Sequence, residues 1–316
     1  MAEFGYALSS EEHAPNDLVR HAQRAEATGF TFAAISDHFH PWVDRQGHAP
    51  FVWSVIGAIA HATTRLNLGT GVTCPTVRIH PAIIAQAAAT ATCMMPGRFF
   101  LGVGSGENLN EHILGDHWPP AAVRQDMLAE AVAVIRQLWE GGYQSFDGAH
   151  YTVENARIYT LPDEPPAIVV AAAGPSAAEL AGSIGDGIWT VAPQAELLQT
   201  YTEAGGSGPR YGQLTVCWAA DEDEAAKTAY EWWPNAGIGG ELSQELPLPR
   251  HFEQAAKLVT PDDLAEKLPV GPDPERYLES IAAFVDAGHS HVYIHQIGPD
   301  QDGFFDFFEK ELAPRL

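Results

Sequence analysis

The stretch from residue 66 to residue 104, LNLGTGVTCPTVRIHPAIIAQAAATATCMMPGRFFLGVG, places two short apolar runs on either side of an alanine-rich segment. Leu66–Thr73 and Phe99–Gly104 are strand candidates, and Pro81–Met95 between them is a helix candidate. Strands that are apolar along nearly their whole length are typical of parallel sheets buried on both faces. The stretch therefore predicts a βαβ unit, in which a helix connects two parallel strands.

The same alternation continues over the rest of the chain. Six further strand candidates are Phe4–Ser9, Phe30–Ser36, Ala167–Ala173, Gly187–Ala192, Leu214–Ala220 and Val292–Gly298. Helix candidates lie between them, with Asn16, Ser176 and Asp273 where N-caps belong. Eight strands separated by helices fit either a doubly wound α/β sheet or a closed (β/α)8 TIM barrel.

The chain length favours the barrel. Its 316 residues exceed a typical barrel of about 250 residues by the size of one or two insertions. We expect a single barrel domain over residues 1–316, with insertions near 141–166 and 232–267. In such a barrel the chemistry lies on the loops that follow the strands, so the segment after each strand is the place to search.

Charge and composition exclude several classes of function. The chain has 17 Lys and Arg against 41 Asp and Glu, a net charge of −24, which disfavours electrostatic binding to nucleic acid or a membrane surface. Its three cysteines are far apart, so neither a disulfide framework nor a structural zinc site is indicated. With no signal-peptide pattern and no long apolar run, we expect a cytoplasmic enzyme.

Titratable residues cluster directly after the second strand, in Asp37-His38-Phe39-His40-Pro41-Trp42. Histidine titrates near neutral pH and suits a general base, and a neighbouring carboxylate can orient it. Trp42 offers an aromatic face for a planar ring or a sugar. A single histidine is more often a loop or core residue, but the strand-end position and the clustering favour a functional site here.

Glycine-rich or small-residue segments follow three other strands, at 69–75, 102–110 and 171–176. Each segment alone could be a barrel bulge, an exposed loop or a packing turn. The second contains Glu107, a candidate acid or base, but lacks the spacing of a dinucleotide-binding fingerprint. The third opens a helix, whose free N–H groups suit a phosphate. Together these segments predict a site for a phosphate-bearing cofactor beside proton-transfer groups.

Several of these motifs resemble those of a known family. The runs are SDHFHPW (36–42), GHAPF (47–51), GTGVTCPT (69–76), HPAIIAQ (80–86), GRFFLGVGSGENLNE (97–111), AAAGPS (171–176) and GDGIW (185–189). They resemble the luciferase-like superfamily of barrel enzymes, and within it the F420-dependent glucose-6-phosphate dehydrogenase group. The resemblance is dense from about residue 4 to 190 and looser beyond.

This resemblance implies coenzyme F420, a deazaflavin that accepts a hydride, as the cofactor. His38 would take the proton of a substrate hydroxyl, Glu107 would act beside the ring, and Trp42 would stabilise developing charge. Asp37 would contact the cofactor, and a cis Gly71-Val72 peptide bond would support the ring. The remaining expected cofactor contacts are Cys74, Ser105, Gly106, Asn110, Ala172, Ala173 and Gly174.

The expected reaction moves a hydride from a sugar, a sugar phosphate or another secondary alcohol to F420. The chain departs from the resembled group after its sixth strand, where residues 190–194 contain no cation for a phosphate. In the later part of the chain, the basic residues that could replace this missing cation are Arg250, Lys257, Lys267 and Arg276. A small-molecule substrate and, by analogy with the superfamily, a homodimer are expected.

Three alternatives remain at this point. The first is a luciferase-like monooxygenase that uses FMN on the same fold. The second is a metal-dependent barrel hydrolase, because His38-x-His40 at a strand end can bind a divalent ion. The third is a non-catalytic protein that binds F420 without reducing it.

Overall fold

The computed structural model describes residues 2–316 and contains a closed, all-parallel barrel. The barrel strands are β1 (Glu3–Leu8), β2 (Phe32–Ile35), β3 (Asn67–Thr70), β4 (Phe99–Val103), β7 (Ile168–Ala171), β8 (Gly187–Thr190), β9 (Arg210–Val216) and β10 (His291–Gln296). Their spatial order is β1-β10-β9-β8-β7-β4-β3-β2, and β1 closes on β2. The predicted (β/α)8 barrel is confirmed.

Helices connect the strands and cover the outside of the barrel. They are α1 (Pro15–Thr28), α2 (Val52–Ala62), α3 (Pro81–Met94), α4 (Asn108–Glu111), α5 (Ala121–Trp139), α6 (Pro175–Ile184), α7 (Ala195–Glu203), α8 (Glu222–Trp232), α9 (Leu242–Glu245), α10 (Pro249–Ala256), α11 (Pro261–Ala265), α12 (Pro274–Ala287) and α13 (Gln301–Phe307). None of the helices in residues 2–316 combines the length and apolarity that crossing a bilayer requires.

Both segments expected as insertions carry structure of their own. An antiparallel hairpin, β5 (Gln144–Asp147) with β6 (Thr152–Ala156), lies in the first and is held to α5 by Glu130, whose carboxylate accepts the N–H groups of residues 149–151. The second contains the short helices α9 to α11. It is held to α5 by Arg124, which bonds Gln244 and Glu245.

Two of the predicted N-caps are wrong, and one is confirmed. Asp273 caps α12 by accepting the N–H of Glu275. In α1 and α6, however, the helix starts at Pro15 and Pro175, which makes Ala14 and Gly174 the N-caps instead of Asn16 and Ser176. Proline prefers the first helical position because its φ is already helical and it has no N–H to leave unpaired.

The inside of the barrel is filled with aromatic rings. The Trp189 and Phe100 rings each lie 5.1 Å from the ring of Tyr211. Glycine provides the space, because a Cβ on Gly69 would lie only 2.0 Å from the Phe100 ring. The packed interior closes the barrel from below, so a ligand can enter only at the carboxyl ends of the strands.

His13 and His21 form a buried pair behind the loop that follows β1. Their rings meet edge to face at 4.7 Å. Burial lowers the pKa of His13 to about 4, with Glu12 opposing the shift, and burial likewise lowers the pKa of His21 to about 4. Both rings are therefore neutral in the folded chain at neutral pH, whereas in the unfolded chain they take up protons near pH 6.5.

We expect this pair to make the fold acid-sensitive. Because the unfolded chain binds more protons between about pH 6.5 and 4, the free energy of unfolding falls as pH drops through that window, by about 2 kcal/mol per histidine between pH 7.5 and 5. Urea unfolding at both pH values measures this. His21→Phe should remove its share of the loss, whereas His117→Phe, at an exposed position, should remove none. An equal pH dependence in both variants would contradict the assignment.

Candidate functional site

A cavity of about 780 Å³ opens at the carboxyl ends of the barrel strands. Its floor includes Ala7, Ala34, Trp189 and Tyr293 from the barrel interior. Its upper wall comes from the loops after the strands and from the second insertion, including residues 240–244. A cavity of this size is large enough for a drug-sized cofactor and a small substrate together.

His38 lies on this cavity with its ring between the Glu11 carboxylate, the His40 carbonyl and the Asn110 amide. Its Nε2 is 3.4 Å from Oε1 of Glu11, and its Nδ1 is 3.2 Å from the His40 carbonyl oxygen. Nδ1 also lies 3.2 Å from the Asn110 amide nitrogen, so it accepts from Asn110 when it carries the lone pair and donates to the His40 carbonyl when it carries the proton. In the second tautomer Nε2 holds the lone pair. When Nε2 is also protonated, the imidazolium faces the Glu11 carboxylate. This geometry suits a group that accepts a proton and holds it.

The surroundings of Glu11 keep its carboxylate ionised beside His38. Burial alone would raise its pKa, but the facing charge of His38 and a hydrogen bond from the Ser36 hydroxyl outweigh burial, so the pKa lies below its usual value. Glu11 is therefore ionised at neutral pH. Its negative charge faces the His38 ring at 3.4 Å.

Asn110 connects His38 to Glu107 from behind the cavity wall. Its Oδ1 accepts the N–H groups of Phe39 at 2.9 Å and His40 at 3.2 Å. Its Nδ2 therefore faces His38 Nδ1 at 3.2 Å and Glu107 Oε2 at 3.4 Å. Asn110 is buried and does not line the cavity. Asn110 thus holds the loop that carries His38, and its predicted contact with the cofactor stays a prediction.

Asp37 belongs to a buried charge cluster with Arg78 and Glu111. The Arg78 guanidinium lies 2.9 Å from Asp37 Oδ1 and 3.5 Å from Glu111 Oε1, and the Thr73 hydroxyl donates to the other Asp37 oxygen at 2.7 Å. Burial raises the pKa of Glu111 to about 7, against the opposing charge of Arg78. Asp37 borders the cavity, but both of its oxygens already have protein partners.

The expected cis peptide bond lies between Gly71 and Val72, directly after β3. Gly71 packs against the interior, since a Cβ there would lie 3.1 Å from both Ala34 and Trp189. Val72 and Cys74 line the cavity, and burial raises the pKa of the Cys74 thiol well above its usual value. Cys74 is therefore a neutral wall residue at physiological pH.

Two further segments with expected cofactor contacts, one after β4 and one after β7, also line the cavity. Ser105, Gly106 and Glu107 line it after β4, and Gly106 has φ +81°, where a Cβ would meet Cys74 Sγ at 2.5 Å. Ala172, Ala173 and Gly174 line it after β7, where α6 begins. The structure thus brings all of the predicted site residues except Asn110 onto one cavity.

Sequence reasoning missed Glu11, Arg78, Glu111 and His295, three of which line the cavity. Glu11 follows the first strand, so the rule that found His38 would have found it as well. His295 lies inside the predicted strand Val292–Gly298 and not in the segment after it, so its strand position gives no signal of a site. Arg78 has no sequence signal, because its two carboxylate partners lie 41 and 33 residues away.

The family model described as "Luciferase-like monooxygenase" matches residues 1–291. This match covers most of the chain. The chain belongs to the luciferase-like monooxygenase family. The resemblance drawn from the motifs is thereby confirmed.

Named relatives match over the full length of this family member. F420-dependent glucose-6-phosphate dehydrogenases from Mycobacterium avium (strain 104) and Mycobacterium tuberculosis (strain CDC 1551 / Oshkosh) are each 38% identical, with alignments that cover 100% of this chain and 99% of theirs. A solved F420-dependent secondary alcohol dehydrogenase, in complex with an F420-acetone adduct, superposes with a TM-score of 0.91 at 32% identity, over 98% of both chains.

The metal-dependent alternative finds no support in the geometry. Within residues 2–316, no three His, Cys, Asp or Glu side chains are grouped as a metal ion would require. The two histidines of His38-x-His40 point to different partners, since His40 Nδ1 lies 2.9 Å from the Leu109 carbonyl oxygen.

Proposed function

We propose that this chain is an F420-dependent dehydrogenase that oxidises an alcohol to a carbonyl compound, with His38 as the proton acceptor. The single observation that carries the role of His38 is its position on the cavity between the Glu11 carboxylate and the His40 carbonyl. Full-length relatives that are F420-dependent dehydrogenases support the cofactor and the reaction class.

The residues at the start of α6 fit a phosphate-bearing cofactor. The N-cap residue Gly174 provides no side-chain hydrogen bond, so the first N–H groups of this ten-residue helix have no capping partner. A Cβ on Gly174 would meet no atom within 4 Å, which leaves open space beside those groups. Such a helix start binds phosphate through its N–H groups and dipole.

When bound, F420 supplies the acceptor for the hydride that leaves the alcohol carbon. Nε2 of His38 takes the hydroxyl proton as the O–H and C–H bonds break and the C=O bond forms. Glu11 then balances the imidazolium charge at 3.4 Å. The Trp42 ring, 5.0 Å from the His38 ring, adds a favourable aromatic face for that charge. Glu107, on the same cavity, acts as the acid or electrostatic partner beside the ring.

A fluorescence titration of the purified protein with F420 and, separately, with FMN tests the cofactor. We expect saturable binding of F420 and at least tenfold weaker binding of FMN. Gly174→Val should weaken F420 binding about tenfold without lowering the melting temperature, because its side chain enters open space in the cavity. Gly239→Val is the matched control, since a Cβ there also meets nothing within 4 Å, away from the cavity wall.

The outcomes separate the alternatives. FMN binding without F420 binding would place the chain with the flavin-dependent monooxygenases and refute the proposal. F420 binding without reduction by any alcohol would leave a non-catalytic F420-binding protein. The homodimer and the cytoplasmic location stay predictions, and analytical ultracentrifugation of the purified protein checks the first.

A further inference from the structure

Two tryptophans line the upper part of the cavity, one of them beside the proposed base. Trp42 follows β2, and its ring lies 5.0 Å from the His38 ring. Trp233 directly follows α8 and borders the same cavity. An indole presents a large apolar face, which suits the carbon skeleton of a ligand. We call these two residues, Trp42 and Trp233, the tryptophan wall.

Trp42 is held by apolar contacts with the second insertion. Its ring meets the ring of Phe252, in α10, edge to face at 5.2 Å, and Phe252 is completely buried. Trp42 also packs against the buried apolar cluster that contains Trp233 and Val259. The position of Trp42 on the cavity therefore depends on how the second insertion docks against the loop after β2.

A single buried amide joins the two backbones that carry the tryptophan wall. Gln46 is 1% exposed, and its Oε1 accepts the N–H of Trp42 at 2.8 Å and the N–H of Val43 at 3.4 Å. Its Nε2 donates to the Trp232 carbonyl at 3.0 Å. Two N–H donors on one side and a carbonyl on the other fix the orientation of the amide. Gln46 thus ties the loop of Trp42 to the end of α8, where Trp233 follows.

The other polar contacts between this loop and the second insertion lie at the surface. The Asp44 N–H donates to Glu253 at 3.2 Å in an exposed hydrogen bond, and the Arg45 guanidinium lies over the Trp232 ring at 4.8 Å. Solvent weakens such exposed contacts. Within residues 2–316, Gln46 makes the only hydrogen bond from a buried side chain that joins residues 42–46 to the second insertion.

Gln46 acts on the cavity from behind, because it does not line the cavity itself. Removing its amide would leave two backbone N–H groups and the Trp232 carbonyl without their partners. Unpaired buried groups are costly, so the loop and the end of α8 would move apart until water reaches them. Trp42 and Trp233 would then lose their fixed relative position.

We infer that Gln46 is a positioning residue that determines substrate size: it fixes the tryptophan wall, and the carbon skeleton of the alcohol packs on that wall while its hydroxyl meets His38. This inference rests on the proposed dehydrogenase activity and adds a specificity to it. The favoured substrate is a secondary alcohol with a ring or a long carbon chain, because each CH₂ buried on an apolar wall strengthens binding about fourfold.

The test compares kcat/KM of the F420-loaded enzyme for cyclohexanol and for 2-propanol. Both are uncharged secondary alcohols, but cyclohexanol has a larger carbon skeleton. The wild-type enzyme should prefer cyclohexanol at least about tenfold. Gln46→Leu should lower that preference about fivefold, because a loosened wall gains less from the additional carbon atoms. The ratio cancels any effect on proton transfer to His38, which both alcohols share.

Gln137→Leu is the matched control. The Gln137 amide likewise joins an insertion to the barrel, because its Nε2 donates to Gln144 at 3.2 Å and to the Ser145 carbonyl at 3.1 Å, away from the cavity wall. This variant should leave the preference unchanged. Phe252→Leu retains the Gln46 amide, loosens Trp42 from α10 and should also lower the preference, which keeps the test decisive if Gln46→Leu does not fold.

Acrylamide quenching of tryptophan fluorescence provides a readout without turnover. Gln46→Leu should increase the quenching constant, because Trp42 becomes more accessible to the quencher. In a Trp42→Phe background the same change should lose most of its effect, since residues that act as one unit are not additive. Gln137→Leu should leave the quenching constant unchanged.

The outcomes separate this inference from the proposed function. A wild-type preference for 2-propanol would overturn the inference and leave the proposed function intact. An equal loss for both alcohols in Gln46→Leu, or unchanged quenching, would reduce the amide to a structural role and overturn the inference as well. Bound F420 without turnover of any alcohol would refute the proposed function and, with it, the assigned specificity.

Discussion

Replacing His38 by alanine is expected to lower kcat by about 10² to 10⁴-fold, the usual contribution of a positioned general base. F420 affinity should stay nearly unchanged, because the expected cofactor contacts at 105–106 and 172–174 follow other strands, β4 and β7. Stopped-flow reduction of F420 by a saturating alcohol measures the first effect, and fluorescence titration the second.

His40→Ala is the matched control. His40 lies two residues away, but its ring bonds the Leu109 carbonyl and it does not line the cavity. The carbonyl of residue 40, which lies 3.2 Å from His38 Nδ1, is retained in this variant. Turnover should fall by less than tenfold. If His38→Ala keeps wild-type turnover, the proton goes elsewhere and Glu107 becomes the candidate base.

Arg78→Met is expected to destabilise the fold by about 3–5 kcal/mol, because it leaves the buried carboxylates Asp37 and Glu111 without their cation. The loss should be smaller near pH 5 than near pH 8. Glu111, whose pKa is already about 7, would take up a proton at the lower pH and no longer be a buried charge. Urea unfolding at the two pH values measures both effects.

Arg136→Met is the matched control, because it removes an ordinary surface ion pair instead of a buried cluster. Arg136 lies 2.9 Å from Asp186, but both side chains are about 40% exposed. Solvent screens such a pair, so its loss should cost about 0–1 kcal/mol at either pH. An equally small cost for Arg78→Met would mean that the buried cluster contributes little to stability.

The barrel could be predicted because its signal is local. Each strand buries both faces, so it reads as a short apolar run wherever it occurs, as in Phe99–Val103. The prediction was weakest at β9, where the strand Arg210–Val216 begins four residues before the predicted Leu214. Here Gly212 and Gln213 separate buried Tyr211 from buried Leu214, so the apolar run does not extend back to the start of the strand.

The candidate site could be predicted where it follows directly from strand ends. Asp37, His38 and Glu107 come immediately after β2 and β4, and the barrel rule assigns such positions to one rim. The hydrogen-bond and charge partners of the site residues could not be predicted from the sequence in the same way. The sequence gives no sign, for example, that Asn110 accepts the Phe39 and His40 N–H groups, which lie 71 and 70 residues away along the chain.

Residue pattern alone thus decided the strands, the barrel and the rim on which the chemistry lies, because hydrophobic periodicity acts over a few residues at a time. Tertiary structure alone decided which titratable side chains face each other: Glu11 and His38, Glu12 and His295, and Arg78 with Asp37 and Glu111. Electrostatic partners are selected by distances of 3–4 Å inside a low-dielectric wall. Those distances exist only once the barrel has closed and brought β1, β2 and β10 side by side.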